Sequence, residues 1–322
     1  MDPFGTSRRL ICMMTFHTNH HGLILRREVL NLGQTDNHLR KAVADKTVTP
    51  VWPGVWLPST DVPEKPEDLH KLRVWAAVDV DATFKGAPLS HESAGVFHNL
   101  SMLEPDLDRV HLSTGRKTGG RREKHRFLHP GIIDDKHLVE RDGVTMTSIE
   151  RTAVDIACAG SFAHALAVFD SALAHRADRD VIELLLKKPR HGIATARAAL
   201  DHANPLSANA AEAWGRAQMI CAGLPIPRLQ HKFFDENGAF VAKTDYDWDA
   251  VLVAEFDGMV KYARHLRDGE TPLDAMKREK RREDKLRSLG IMVVRFIWID
   301  LVRNQMVPVL RRWMVKLNII DA

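Results

Sequence analysis

Acidic side chains at sheet-like spacing mark the stretch 243–262, K-T-D-Y-D-W-D-A-V-L-V-A-E-F-D-G-M-V-K-Y. Asp245 and Asp247 come first, residues 250–254 read as a buried strand, and Glu255 and Asp257 follow, then Gly258 and Lys261. This pattern predicts a β-hairpin with Trp248 and Asp249 near its turn. Alternate residues of an extended strand share a face, so Glu255 and Asp257 point the same way, and Asp245 on the partner strand can lie across from them. Three carboxylates converging at one sheet edge repel each other unless something positive sits between them. A hard cation such as Mg²⁺ prefers oxygen ligands of this kind, which makes Asp245, Glu255 and Asp257 candidate metal ligands. Lys261, one turn beyond the bend at Gly258, could stabilise charge beside them.

The elements that must position these groups follow from the flanking sequence. Residues 207–223 read as a helix, 230–234 as a strand, and D-E-N-G at 235–238 as a turn into the hairpin 240–257. A charged helix over 274–289 is stopped by Gly290, I-M-V-V-R-F-I-W is a buried strand, and an amphipathic helix spans about 301–317. The order is helix, three strands, helix, strand.

An Asp, a short gap, then Glu-x-Asp on a hairpin resembles the PD-(D/E)xK nuclease core. E-F-D-G-x-x-K-Y, followed at 279–296 by E-K-x-x-E-D-x-L-R-x-x-G-x-x-V-V-R-F, is similar to the branch related to very-short-patch repair endonucleases. Over most of 22–315 the chain resembles actinobacterial and phage proteins described as AbiEi-type antitoxins or transcriptional regulators, most strongly in 205–298. The resemblance implies an α+β protein with an α/β core in its C-terminal half: a winged helix at 20–60, a mixed, mainly helical middle at 65–203, and a restriction-endonuclease-like unit at 204–318. Those proteins carry a motif like S-x-x-E-S-x-x-R on the first helix of that unit. Here S-A-N-A-A-E-A-W-G-R matches it at Glu212 and Arg216, with Ala213 in place of the usual Ser. The resemblance thus adds Glu212 to the catalytic set Asp245, Glu255, Asp257 and Lys261. An active site would use Mg²⁺ to activate water and neutralise the scissile phosphate. Lys261 would stand in for the usual lysine two residues after Glu255, where this chain has Asp257; Lys280 and Arg295 are alternative cations. The competing reading keeps the fold without the chemistry, the acids being held by Lys261, Arg264, Arg281 or Arg282.

Residues 22–58 read as a compact module: a short helix over 24–32 ended by Gly33, a second helix capped by Thr35 or Asp36 and running to about 45, then a hairpin around Pro53-Gly54. Helix, turn, helix, hairpin is the winged-helix order, in which the second helix enters the major groove of double-stranded DNA. Asn37, His38, Arg40 and Lys41 form its exposed face, with Lys46 nearby for phosphate. Asn and Arg suit base edges and Lys suits phosphate. The alternative is a small helical lid with a solvated charged face. Residues 11–22 are a poor helix, so the first of the usual three is missing. A second basic element lies at 116–126, where Arg116, Lys117, Arg121, Arg122, Lys124 and Arg126 surround Gly119-Gly120. It is either a solvated loop or an arm that contacts phosphates and releases counterions.

The remaining sequence sets bounds. A chain of 322 residues holds two or three domains, and 44% hydrophobic with 27% charged residues is an ordinary soluble composition. No apolar run approaches the ~18–20 residues of a membrane span, and the N-terminus lacks the core and cleavage site of a signal peptide. Met13 or Met14 is a candidate start. Cys12, Cys158 and Cys221 form neither a zinc pattern nor a disulfide framework, so a reducing cytoplasm is expected, with Cys158 and Cys221 in helix cores. The net charge of +4 is compatible with nucleic acid. The many histidines are scattered and form no H-E-x-x-H. His91 reads as a packing residue at a helix start capped by Ser90, and Arg151 with Asp155 as a structural i, i+4 pair. Helices are expected at 69–84, 162–175, 178–187 and 192–201, and a strand at 109–112. Two functions stand open: a DNA-binding regulator, perhaps an antitoxin of the type IV class with a cognate toxin partner, or a Mg²⁺-dependent DNA endonuclease. The oligomeric state is left open.

Overall fold

Alternating burial at the N-terminus builds a small helix-and-hairpin unit. The computed structural model of the chain describes residues 15–81, 84, 86–257 and 271–321. Strand β1 (Ile24–Leu25) leads into α1 (Arg26–Asn31) and α2 (Asp36–Ala44), followed by β2 (Val48–Trp52) and β3 (Val55–Pro58) in a sheet ordered β1-β3-β2. Residues 24–25 were expected inside the first helix; they pair instead with Trp56 and Val55. The reason is that Ile24 packs in the core under α2 while Leu25 packs in the larger neighbouring core. Successive residues reach opposite sides from a strand, not from a helix.

That larger core crosses residue 60. Leu25, Trp52, Val55 and Leu57 pack with Val74, Ala77, Leu89, Leu112 and Met146. The first elements of the middle region are α3 (Pro66–Val80), with Pro at its first turn, and α4 (His91–Phe97). Then come β4 (Val110–Ser113), β5 (Arg121–Arg122), β6 (Arg126–His129), β7 (Leu138–Arg141) and β8 (Val144–Thr147). Strands β4 and β6 pair in parallel, β5 flanks β6, β7 and β8 form a hairpin, and Leu89 bridges to both Leu112 and Met146. Helix α3 begins before the expected 69 and turns His70, Val74, Ala76 and Ala77 inward. The sequence pattern has Leu72, Trp75, Ala76 and Val80 as its apolar positions; His70 instead lies on the inner face, held by Leu107 O and Ser93 Oγ, each at 2.8 Å.

Four helices complete the middle: α5 (Ile149–Ala159), α6 (Phe162–Ala174), α7 (Arg179–Leu186) and α8 (Ile193–Asp201), close to the expected spans and built around Val154, Leu166, Phe169, Ile182, Leu185 and Leu200. Arg151 and Asp155 are both buried; Arg151 Nε donates to the carboxylate at 2.8 Å and Arg190 adds a second donor at 2.7 Å. Cys158 is buried as expected.

The last unit comprises α9 (Ala210–Cys221), β9 (Arg228–Phe234), β10 (Phe240–Trp248), β11 (Leu252–Phe256), α10 (Pro272–Ser288), β12 (Met292–Phe296), α11 (Trp298–Val302) and α12 (Met306–Lys316). The sheet runs β12-β11-β10-β9, antiparallel except for the β11–β12 pair. Strand alternation divides its faces: Tyr246, Leu252, Ala254 and Phe256 pack with Met306 and Leu310, while Val253 and Val293 pack with Leu286 of α10. The single helix expected at 301–317 is two, separated at Asn304, which adopts φ +52°. Cys221 is exposed rather than in the core, because α9 ends there and leaves the packed layer. Arg216 and Asp170, both at most 2% exposed, join α9 to α6 through a 2.8 Å ion pair. No helix among the described residues is long and apolar enough to cross a membrane.

Candidate functional site

The hairpin β10–β11 turns at Asp249 and Ala250, one residue beyond the expected Trp248 and Asp249, so residues 250 and 251, expected in the buried strand, lie in the turn. Both central residues have positive φ (+51° and +58°), and Val251 N–H donates to Trp248 O at 3.0 Å. This is the type I′ geometry that suits hairpin twist. Register pairs Tyr246 with Ala254, so Asp245 stands opposite Glu255 on the face that carries α10. Asp247 lies further along β10, and its carboxylate is bound by Arg228 and by Ala250 N–H. It therefore belongs to the turn.

Glu212, Asp245, Glu255 and Asp257 line one cleft of about 490 Å³, together with Gln230, Lys243, Glu279 and Arg282. The acids named from sequence are thus brought to one place. Lys261, with Gly258 and Arg264, lies outside the described residues.

Protein donors occupy these carboxylates. Glu255 is 4% exposed and receives a two-pronged guanidinium: Arg282 Nη1 to Oε1 at 2.6 Å and Nη2 to Oε2 at 2.5 Å. Arg295 Nη2 lies 3.2 Å from the same Oε2 and its Nη1 donates to Asp257 at 3.0 Å. Both arginines also bind Glu279. Such charge-assisted forks are among the stronger hydrogen bonds. Burial acts to raise the Glu279 carboxyl, but the bonds from Arg282 and Arg295 outweigh it and hold its pKa at about 2. On the other wall, the Gln230 amide nitrogen donates to Glu212 at 3.0 Å and to Asp245 at 3.1 Å. Glu212 also accepts from Ala208 N–H and Asn209, and Asp245 from Phe256 N–H at 2.8 Å. Gln230 takes φ +53° within β9, an unusual backbone for a strand residue.

A Mg²⁺ ion does not fit this arrangement. Both oxygens of Glu255 are committed to Arg282, and an amide group joins Glu212 to Asp245. Among the described residues, Asp245, Glu255 and Asp257 do not bring donor atoms within 4.8 Å of one another as a group; Glu92, His111 and His129 do. Among the described residues, Arg282 and Arg295 are the cations weighed from sequence that bind the acids. Glu92, His111 and His129 were missed, since they lie on three separate elements of the middle region and follow no ligand spacing.

At the N-terminal unit, Asn37, Arg40, Lys41 and Lys46 are exposed on or just after α2. Arg40 Nη1 donates to Asn37 Oδ1 at 2.7 Å. His38 differs: it is half-buried and its Nδ1 accepts from Thr35 N–H at 3.3 Å, so its ring closes the helix cap. Arg116, Lys117, Arg121 and Arg122 are exposed in the loop and strand before β6. Arg122 lies over the Phe127 ring and pairs with Asp106, whereas Arg126 is tied to Asp81 and Glu123 and is structural. A cleft of about 920 Å³ is bordered by Arg40 of α2, by Trp52 and Trp56 of the hairpin, and by Arg73, Lys124 and His125.

No protein-family model matches the chain. It is similar to two curated proteins of Mycobacterium tuberculosis, from strains CDC 1551 / Oshkosh and ATCC 25618 / H37Rv, each called an uncharacterized protein. Each is 34% identical over 158 residues, which is 48% of this chain and 55% of the relative. The chain therefore spans about half the length of the curated relatives it matches.

Proposed function

We propose that the protein is a DNA-binding regulator whose C-terminal unit keeps a nuclease-like scaffold without its metal chemistry. The observation that carries this reading is the shared cleft: α2, with Arg40, and the basic stretch, with Lys124 and His125, border one groove. Two elements for which the sequence offers a DNA-binding reading thus border one groove. A duplex would take base contacts from Asn37 and Arg40 and phosphate contacts from Lys41, Lys46, Arg116, Lys117, Arg121 and Arg122. The order α1, α2, hairpin supports a winged helix, although the described residues before α1 hold no helix. The order α9, β9–β11, α10, β12 supports a restriction-endonuclease-like unit. Engagement of a toxin, as an AbiEi-like antitoxin, belongs to the same reading, as does a cytoplasmic location.

Binding to duplex DNA from upstream of its own gene, read by fluorescence anisotropy, tests it. Arg40→Ala with Lys41→Ala should abolish preference for that sequence. Replacing Arg116, Lys117, Arg121 and Arg122 by Ala should weaken binding to all duplexes and flatten the salt slope by roughly 0.9 per lost phosphate contact. Sequence-specific binding that survives both changes would refute the assignment.

The gathering of four acids in one cleft favours a second reading, a Mg²⁺-dependent endonuclease. It requires Arg282 and Gln230 to leave their carboxylates. Plasmid nicking with Mg²⁺ or Mn²⁺, lost in Asp245→Ala and Glu255→Ala, would establish it in place of the scaffold reading.

A further inference from the structure

The middle unit gathers three side chains able to ligate a metal, one of whose oxygens no hydrogen bond satisfies. Glu92 is the second residue of α4, His111 lies on β4 and His129 ends β6. Their ligand atoms all lie within 4.8 Å of one another. His111 Nδ1 is 2.8 Å from Glu92 Oε2 and 3.0 Å from His129 Nε2. On its other side, His111 Nε2 is 3.1 Å from Asp106 O. A carbonyl oxygen only accepts, so Nε2 carries a proton, and Nδ1 is the nitrogen that faces Glu92 and His129. Orientation of a ring by its second nitrogen on a backbone carbonyl is how proteins prepare a metal-binding histidine.

A proton on His111 Nδ1 could bridge it to one neighbour, and the third donor would be left over. Glu92 Oε2 is that atom: it is buried and, despite its closeness to His111, accepts no hydrogen bond of proper direction. A metal ion bonds all three at once. Zn²⁺ holds nitrogen and carboxylate oxygen at about 2.0–2.2 Å, which spaces tetrahedral ligands about 3.3 Å apart, so Glu92 and His129 need move from His111 by only a few tenths of an ångström. The surroundings are also built. The Ser93 hydroxyl accepts from His111 N–H at 2.7 Å, and the His91 ring stacks on His129 at 3.6 Å, closing one side.

We propose that Glu92, His111 and His129 form a Zn²⁺ site that pins the start of α4 to β4 and β6 and leaves the fourth position to water. This site is independent of the DNA reading and of the C-terminal cleft.

The test is calorimetric titration of the chelator-treated full chain with Zn²⁺ alone, followed by Co²⁺ substitution read through the visible bands of a tetrahedral ion. We expect one ion per chain, affinity weakened more than about 100-fold in Glu92→Gln and His129→Ala, and unchanged affinity in the exposed-histidine control His191→Ala. Circular dichroism checks that each variant is folded; Glu92→Gln preserves the side-chain shape and remains informative if His129→Ala unfolds. No stoichiometric zinc, equal affinity in Glu92→Gln and wild type, or nitrogen NMR shifts showing His111 protonated at both nitrogens in saturating Zn²⁺ would overturn the proposal.

Discussion

Glu279 is the acceptor shared by Arg282 and Arg295, and replacing it by Gln tests how far the C-terminal acids serve stability. Its carboxyl is held at about 2 against an ordinary 4.5. The folded-state pKa is depressed, so the stabilisation is fully present above the unfolded value near 4.5 and is lost as pH falls toward 2. At roughly 1.36 kcal/mol per unit, the shift sets an upper bound of about 3 kcal/mol. The side chain is 31% exposed, and solvent screening reduces the expected figure to about 1.5–2 kcal/mol. Urea unfolding followed by tryptophan fluorescence is a suitable assay, because Trp214, Trp248, Trp298 and Trp313 all lie in this unit. Glu279→Gln should be less stable than wild type by about 1.5–2 kcal/mol near pH 7, by the same amount near about pH 5, and by less than half of it near about pH 3. A gap below about 0.5 kcal/mol near pH 7, or one that stays constant down to about pH 3, would refute the reasoning.

Three further changes probe other joints. Asp170→Ala leaves Arg216 buried without its counter-charge and should cost about 3–5 kcal/mol, while Asp170→Leu with Arg216→Met should recover most of it; equal losses in denaturant midpoint would contradict the pairing. Ala250→Gly relieves a left-handed residue in the β10–β11 turn and should stabilise by about 1 kcal/mol, and a lower unfolding midpoint would count against the turn geometry. Gly192 adopts φ +73° with Cys158 O only 2.0 Å from where a Cβ would sit, whereas Gly223 adopts φ +65° in open space. Gly192→Ala should therefore cost more than about 2 kcal/mol and Gly223→Ala about 1 kcal/mol, and equal effects on thermal unfolding would rule out the steric account.

The C-terminal hairpin was legible because its signals agree. Asp249 at the turn, the apolar run 250–254, of which 252–254 fall in β11, and acids at alternate positions all specify one register. The helices α5 to α8 were legible from length and period. Of the strands of the middle region only β4 was, close to the expected 109–112; β5 has two residues and β6, β7 and β8 four each, too short for alternation to emerge. The helix α3 was misjudged at its inner face because His70 is buried there, and a buried histidine has no apolar periodicity to reveal it. The candidate site was half legible. Alternation places Asp245, Glu255 and Asp257 on one face, but whether their lone pairs are free depends on Gln230 from β9 and Arg282 from α10, contacts that only the tertiary structure sets. The same limit hid Glu92, His111 and His129, whose sequence separations carry no ligand pattern.

A carboxylate is available to a divalent cation only where its lone pairs are not already held by protein donors, because the ion must displace each of them. At the C-terminal cleft, Arg282 takes both oxygens of Glu255 and Arg295 approaches one of them, Gln230 joins Glu212 to Asp245, and Phe256 N–H holds the second oxygen of Asp245. Cation binding there begins with the rupture of charge-assisted bonds, and it brings a divalent charge close to two guanidinium groups. At the middle unit the balance is reversed: Glu92 Oε2 is buried without a hydrogen bond, and the one ring nitrogen whose proton is fixed by geometry, His111 Nε2, points away from the cluster. An ion entering there displaces only the contacts that His111 Nδ1 makes with His129 Nε2 and Glu92 Oε2, and no guanidinium stands in its way. The carboxylates that look most metal-like by spacing are thus the ones that arginine and glutamine occupy, and the group with no recognisable spacing is the one that keeps a buried carboxylate oxygen without a hydrogen bond.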